Sequence, residues 1–136
     1  MSHITVVKTI FRDVDALRSA CEALGLTLGQ SGAVRTYGER ATADHVITLP
    51  GRYDIGFKLE TDGSLSAVCD GEVLSEFNTG RNADAHRLVG PGLERLKQEY
   101  AIAIAQSQAR RSGLSVSRRA ALEGEEAGAV YITLRR

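Results

Sequence analysis

The chain has 136 residues, of which 43% are hydrophobic and 25% charged, and its 17 basic side chains balance 17 acidic ones. This length favours one compact domain with its own core, and we expect a single α+β domain over residues 1–136. The balanced charge removes the simplest argument for a nucleic acid or an anionic membrane as partner. The composition is also too apolar for a disordered chain.

Targeting signals and cysteine usage both favour a soluble, cytoplasmic protein. The N-terminal sequence has no basic segment followed by an apolar stretch, and no apolar run approaches the about 20 residues that a spanning helix needs. Cys21 and Cys69 lie far apart and outside any CxxC motif. We expect two reduced, buried thiols, no membrane contact and no cofactor.

The first elements are predicted to be a strand and a helix. Residues 3–9 are rich in β-branched side chains, which favour a strand. Asp13 is a good N-cap, and Gly25 suits the left-handed residue that ends a helix. Between them an apolar stripe recurs at helical spacing: Val14, Leu17, Cys21 and Leu24.

Strands are predicted over residues 33–37, 45–49 and 53–60, with a turn at 38–43. In the last of these strands Tyr53, Ile55, Phe57 and Leu59 share one face, toward the core. Asp54, Gly56, Lys58 and Glu60 share the other face, where solvated charge is expected. Gly56 weakens a strand, so either close packing or a bound ligand is expected there.

The next strand, residues 65–69, has a register that the apolar side chains determine. A three-residue loop over 61–63 pairs Leu59 with Leu65 and Phe57 with Ala67, and it buries Cys69 against Ile55. A two-residue loop would place Glu60 opposite Leu65, on the core face. The three-residue loop is therefore predicted, with Gly63 at positive φ.

Residues 70–92 form a polar connection, with a short strand predicted at 73–77. A second helix is expected from Pro91 to Gly113, with Ile102 lying off its apolar stripe of Leu93, Leu96, Tyr100, Ala103 and Ile104. Strands at 114–119 and 129–134 follow. The order β-α-β-β-β-β-α-β-β predicts an α+β fold with a largely antiparallel sheet and both helices on one face.

Several segments resemble an uncharacterised conserved family of small proteins: residues 1–5, the helix ending in Gly25-Leu26, the Tyr53-Asp54-Ile55-Gly56-Phe57 motif and residues 99–101. This family, a domain of unknown function, occurs as a conserved hypothetical reading frame in algal plastids, cyanobacteria and other bacteria. The resemblance implies a soluble intracellular protein of unassigned activity, and a partner role beside an AAA+ ATPase. It supplies no catalytic residues.

The residues that could carry chemistry form no complete set. His3, His45 and His86 are scattered over three elements, so we predict neither a metal site nor catalytic residues. An anion could bind near Arg81, Arg87 and Gly92, before the second helix. Residues 54–84 hold seven acids and two bases, whereas 85–119 hold seven bases and two acids.

These patterns favour a non-enzymatic interaction or assembly module whose partner is another protein or a second copy of the chain. The candidate interaction residues are Ile102, Arg110, Arg111, Arg118 and Arg119. The alternative is binding of an anionic ligand or a nucleic acid through residues 85–119, although no aromatic stacking platform accompanies the bases. An enzyme ranks third, because no nucleophile–base set appears.

Overall fold

The structure, a computed structural model, describes residues 4–38, 40–74, 83–120, 123–124 and 130–135. Its strands are β1 (Ile4–Lys8), β2 (Leu28–Gly29), β3 (Gly32–Val34), β4 (Ala41–Ala43), β5 (His45–Thr48), β6 (Asp54–Leu59), β7 (Leu65–Asp70), β8 (Ser115–Ala120) and β9 (Val130–Arg135). Its α-helices are α1 (Val14–Ala23), α2 (Gly71–Leu74), α3 (Ala83–Val89) and α4 (Glu94–Arg111). One sheet has the antiparallel order β1-β7-β6-β5-β2, and β3-β4 and β8-β9 are separate hairpins. The predicted α+β class is confirmed.

Helix α1 begins and ends where the sequence predicts. Oδ1 of Asp13 accepts hydrogen bonds from the N–H groups of Asp15 at 2.9 Å and Ala16 at 3.1 Å. These are two of the N–H groups that a helix leaves without a partner in its first turn. At the other end Gly25 has a φ of 75°.

The predicted register of the β6–β7 hairpin is confirmed. Leu59 lies opposite Leu65, and Ile55 lies opposite Cys69. The N–H of Glu60 donates to the carbonyl oxygen of Ser64 at 2.8 Å, which leaves three residues in the loop. Gly63 has a φ of 86°, which a side chain with a Cβ would resist.

The main core lies between one face of the sheet and the helices α1 and α4. At its centre the ring of Phe11 makes edge-to-face contacts with Phe57 and Tyr100, with centroids 5.7 Å and 4.9 Å apart. Such contacts add about 0.5–1.5 kcal/mol to the burial of the rings. Leu59 is the exception on this face, because it lies at the end of β6 and is 61% exposed.

The other face of the sheet, here called the outer face, is only partly the solvated surface that the sequence predicts, since Lys58 and Glu60 are exposed as expected. Asp54 and Gly56 are both buried. A Cβ on Gly56 would lie 2.5 Å from Cγ2 of Val34 and 2.6 Å from Cβ of Ala43, so the β3–β4 hairpin packs directly on this glycine. The close-packing interpretation of Gly56 is confirmed, and a second small core of Val34, Ala43 and Val46 results.

Two buried carboxylates hold the connection between β3 and β4 on the outer face. Asp54 accepts hydrogen bonds from the N–H and the Nε of Arg35, both at 2.9 Å. Asp70 accepts one from the N–H of Tyr37 at 3.1 Å. Charge-assisted hydrogen bonds of this kind are stronger than neutral ones, which offsets the cost of burying the carboxylates.

Before β6, one predicted strand and one predicted turn differ from the structure, and one strand was not predicted. The strand predicted at 33–37 is β3, which ends at Val34 because the N–H and carbonyl of Arg35 bond to Asp54 instead of continuing along β4. The predicted turn at 38–43 contains β4. The two-residue strand β2 was not expected at all.

The described parts of the connection between β7 and α4 are helical, where an irregular segment was predicted. Instead of a strand at 73–77, α2 begins after Asp70, whose Oδ1 accepts the N–H of Glu72 at 3.1 Å as an N-cap does. Residues 75–82 lie outside the described residues. Helix α3 ends before Gly90, whose φ is 77°, and α4 begins only after a 3₁₀ turn over Pro91–Leu93. Leu93 itself has a φ of 64°, an uncommon conformation for a residue with a Cβ.

Candidate interaction surfaces

Ile102 is not an exposed interaction residue in the single chain. It is 6% exposed, and Glu99 and Ala109 are also buried at spacings that place all three on one side of α4. Strand β8 packs against α4, and Arg118 of β8 donates two hydrogen bonds of 2.8 Å to the carboxylate of Glu99. The chain's own hairpin therefore covers the apolar surface that was expected to need a partner.

The four predicted interaction arginines separate into two groups. Arg118 is engaged by Glu99, whose hydrogen bonds raise the pKa of the guanidinium. Arg119 is exposed on β8. Arg110 and Arg111 are exposed in the last turn of α4, and among the described residues neither has a carboxylate within ion-pair distance. Among the described residues, the predicted interaction arginines with no ion-pair partner are thus Arg110 and Arg111.

Of the residues predicted to bind an anion, Arg87 and Gly92 are described, and Arg81 lies outside the described residues. The guanidinium of Arg87 binds the carboxylate of Asp84. Gly92 is half-buried in the 3₁₀ turn that precedes α4.

The described histidines and cysteines are separated. His45 lies opposite Phe57 on the sheet and His86 lies in α3, while His3 is outside the described residues. No three His, Cys, Asp or Glu side chains of the described part are grouped as metal ligands would be. Cys21 and Cys69 are buried, and burial raises the pKa of each thiol to about 12.

A surface that sequence reasoning missed lies on the outer face next to β1, an edge strand of the five-stranded sheet. Val6 lies opposite Val68, which puts its side chain on the outer face, where it is 62% exposed. Tyr37 is 58% exposed and is held over β7 by its bond to Asp70, which pairs with Ile4 of β1. Tyr37 is one of only seven aromatic residues in the chain, which is the one signal that could have drawn attention to it.

Lysines extend this surface along the sheet. Lys8 of β1 and Lys58 of β6 both lie opposite Ser66 of β7, the strand between them. Both lysines are exposed on the outer face. We call the set Val6, Tyr37, Lys8 and Lys58 the β1 surface. It combines apolar and basic side chains beside an edge strand.

No helix of the described part is long and apolar enough to cross a membrane. No curated protein and no solved structure matches the chain. A family model does match, over residues 20–130, which includes the C-terminal end of α1, the strands from β2 to β8 and α4. The chain therefore belongs to the family described as a protein of unknown function, DUF1257.

Proposed function

We propose that this protein is a non-enzymatic binding module that adds an extended segment of another protein to β1. The observation that supports the proposal is the exposure of Val6 and Tyr37 on one face beside an edge strand. Single exposed apolar residues are ordinary, but strand addition uses a sheet edge together with side-chain contacts on the face beside it. Aromatic side chains are also enriched where proteins bind one another.

The charges of the β1 surface favour a particular kind of segment. In an added strand, side chains alternate between the two faces of the sheet. An apolar side chain on the outer face would lie beside Val6 and Tyr37, and the next one on that face would lie beside Lys8. The partner segment therefore carries an apolar residue and an acidic residue two positions apart.

The family resemblance gives this module a candidate partner, an AAA+ ATPase, which would supply the segment in a hetero-oligomer. A second copy of the chain is the other source of a strand.

Photo-cross-linking tests the proposal. A benzophenone amino acid is placed at position 6, at position 37 or, as a control, at position 134, where the native Leu134 is exposed on β9. We expect the same protein to be cross-linked from positions 6 and 37 and not from position 134. The double variant Val6→Ser, Tyr37→Ser should then lose that partner in co-purification, whereas Leu134→Ser keeps it.

Two outcomes would reject the proposal. One is co-purification of the partner at the same yield with the double variant as with the wild-type chain. The other is a partner cross-linked from position 134 but from neither position 6 nor position 37. Cross-links between two copies of the chain would assign the β1 surface to self-association instead.

A further inference from the structure

A cleft of about 200 Å³ lies between the first half of α1 and the last turns of α4. Asp13 and Asp15 line it from the α1 side, and Arg110 and Arg111 line it from the α4 side. Ser19 and Ser107 also line the cleft. The cleft is on the helical side of the molecule and is separate from the β1 surface.

The charges across the cleft are not bridged. Oδ1 of Asp13 accepts the two N–H groups that it caps, and Asp15 pairs with Arg18 at 3.3 Å on its own helix. Among the described residues, Arg110 and Arg111 reach no carboxylate, although they line the same cleft as two of them. The backbone N–H groups of α1 are occupied by Asp13, so they are not part of the site.

We propose that this cleft binds a small zwitterion, a molecule with one ammonium and one carboxylate group. The carboxylate would accept hydrogen bonds from Arg110 and Arg111, and the ammonium would donate to Asp13 and Asp15. The two aspartates would repel a simple anion, and the two arginines would repel a simple cation. Only a ligand with both charges is attracted by both sides of the cleft. The hydroxyl groups of Ser19 and Ser107 would hydrogen-bond either end.

Titration of the full-length, nitrogen-15-labelled chain tests the site. The probes are glycine, γ-aminobutyrate and ε-aminocaproate, which differ in the distance between their charges, with caproate and hexylamine as single-charge controls. We expect saturable shifts of amide signals in α1 and the end of α4 for at least one zwitterion. Each single-charge control should bind about tenfold more weakly than that zwitterion, which corresponds to about 1.4 kcal/mol of binding free energy.

Charge-neutral variants locate the site. Arg111→Gln and Asp15→Asn should each weaken binding about tenfold, and the combined variant should abolish it. Arg135→Gln, on the distant strand β9, should leave binding unchanged. Equal binding of caproate and ε-aminocaproate would instead show a simple anion site. No saturable shift with any of the three zwitterions, or shifts that survive the combined variant, would also overturn the proposal.

Discussion

The hydroxyl oxygen of Tyr100, in the middle of α4, accepts a hydrogen bond from the backbone N–H of Asp13, the N-cap of α1, at 3.0 Å. It also accepts one from the N–H of Arg12 at 2.9 Å. One buried side chain therefore fixes the point at which the chain leaves the sheet and enters α1. It also holds α1 against α4, which positions both walls of the interhelical cleft.

Tyr100→Phe keeps the ring and its contact with Phe11 but removes this acceptor. Two N–H groups near the start of α1 then lose their partner, and we expect the free energy of unfolding to fall by about 1–3 kcal/mol. Tyr37→Phe is the matched control, because Tyr37 is largely exposed, and it should change stability by less than about 0.5 kcal/mol. Urea unfolding measures the stability of both variants. If Tyr100→Phe is as stable as the wild-type chain, water replaces the hydroxyl group at no cost.

Gly56→Ala tests the packing of the β3–β4 hairpin on the sheet. The added methyl group would lie 2.5 Å from Val34 and 2.6 Å from Ala43, so the hairpin must move away. Overpacking of this kind costs about 1–3 kcal/mol. Gly32→Ala is the control in the same hairpin, because no atom lies within 4 Å of its added Cβ. If thermal unfolding shifts equally in both variants, the hairpin does not pack on the sheet as described.

Local features of this fold could be predicted from the sequence, and features that depend on distant packing could not. Asp13 and Gly25 define α1 by capping chemistry alone, and the register of β6 with β7 follows from apolar side chains within fifteen residues of one another. Close packing at Gly56 was expected from the residue type, but the hairpin that packs on it could not be predicted, because that hairpin starts 24 residues earlier in the chain.

The same dependence on distant packing explains where the structure differs from the predicted interaction residues. Ile102 is covered by β8, whose position on α4 depends on the pairing of Arg118 with Glu99, 19 residues away. The exposure of Val6 follows only from the order of strands, which leaves β1 at an edge. Neither relationship leaves a period or a motif in the sequence.

The buried thiols give the protein a pH dependence on the alkaline side. Burial raises the pKa of Cys21 and Cys69 from 9.0 to about 12 in the folded state. Between these values the unfolded chain has lost protons that the folded chain keeps, so stability falls as pH rises. We expect the free energy of unfolding to drop from about pH 9 toward pH 12, and Cys69→Ala to reduce that drop.

Alkylation by iodoacetamide checks the same property independently. Only the thiolate reacts, so both thiols of the folded chain should remain unmodified at pH 8 under conditions that label the urea-unfolded chain completely. Rapid labelling of the folded chain would place a thiol at the surface. It would also remove the reason for the alkaline loss of stability.

The pair formed by Arg118 and Glu99 should be worth more than the exposed pairs of this chain. Its carboxylate is largely buried and accepts two hydrogen bonds of 2.8 Å, whereas Arg18 and Asp15 form an exposed pair within α1. A double-mutant cycle with Glu99→Gln and Arg118→Gln should give a coupling energy of about 1 kcal/mol after allowance for solvent. The corresponding cycle for Arg18 and Asp15 should give at most about 0.5 kcal/mol, and equal values would contradict the hairpin's attachment to α4.

Ile102→Asp separates a core position from an interface position. Because the chain itself buries Ile102, a carboxylate there would lose its hydration, and we expect stability to fall by roughly 3 kcal/mol or more. Ala101→Asp is the control, since Ala101 is the preceding residue of the same helix and is exposed. Circular dichroism during thermal unfolding should show a large loss of stability for the first variant and little for the second. The Ile102→Asp chain could instead unfold like the wild type but have a lower mass by light scattering. That result would show that Ile102 lies in an interface between chains, and it would contradict the packing of β8 on this side of α4.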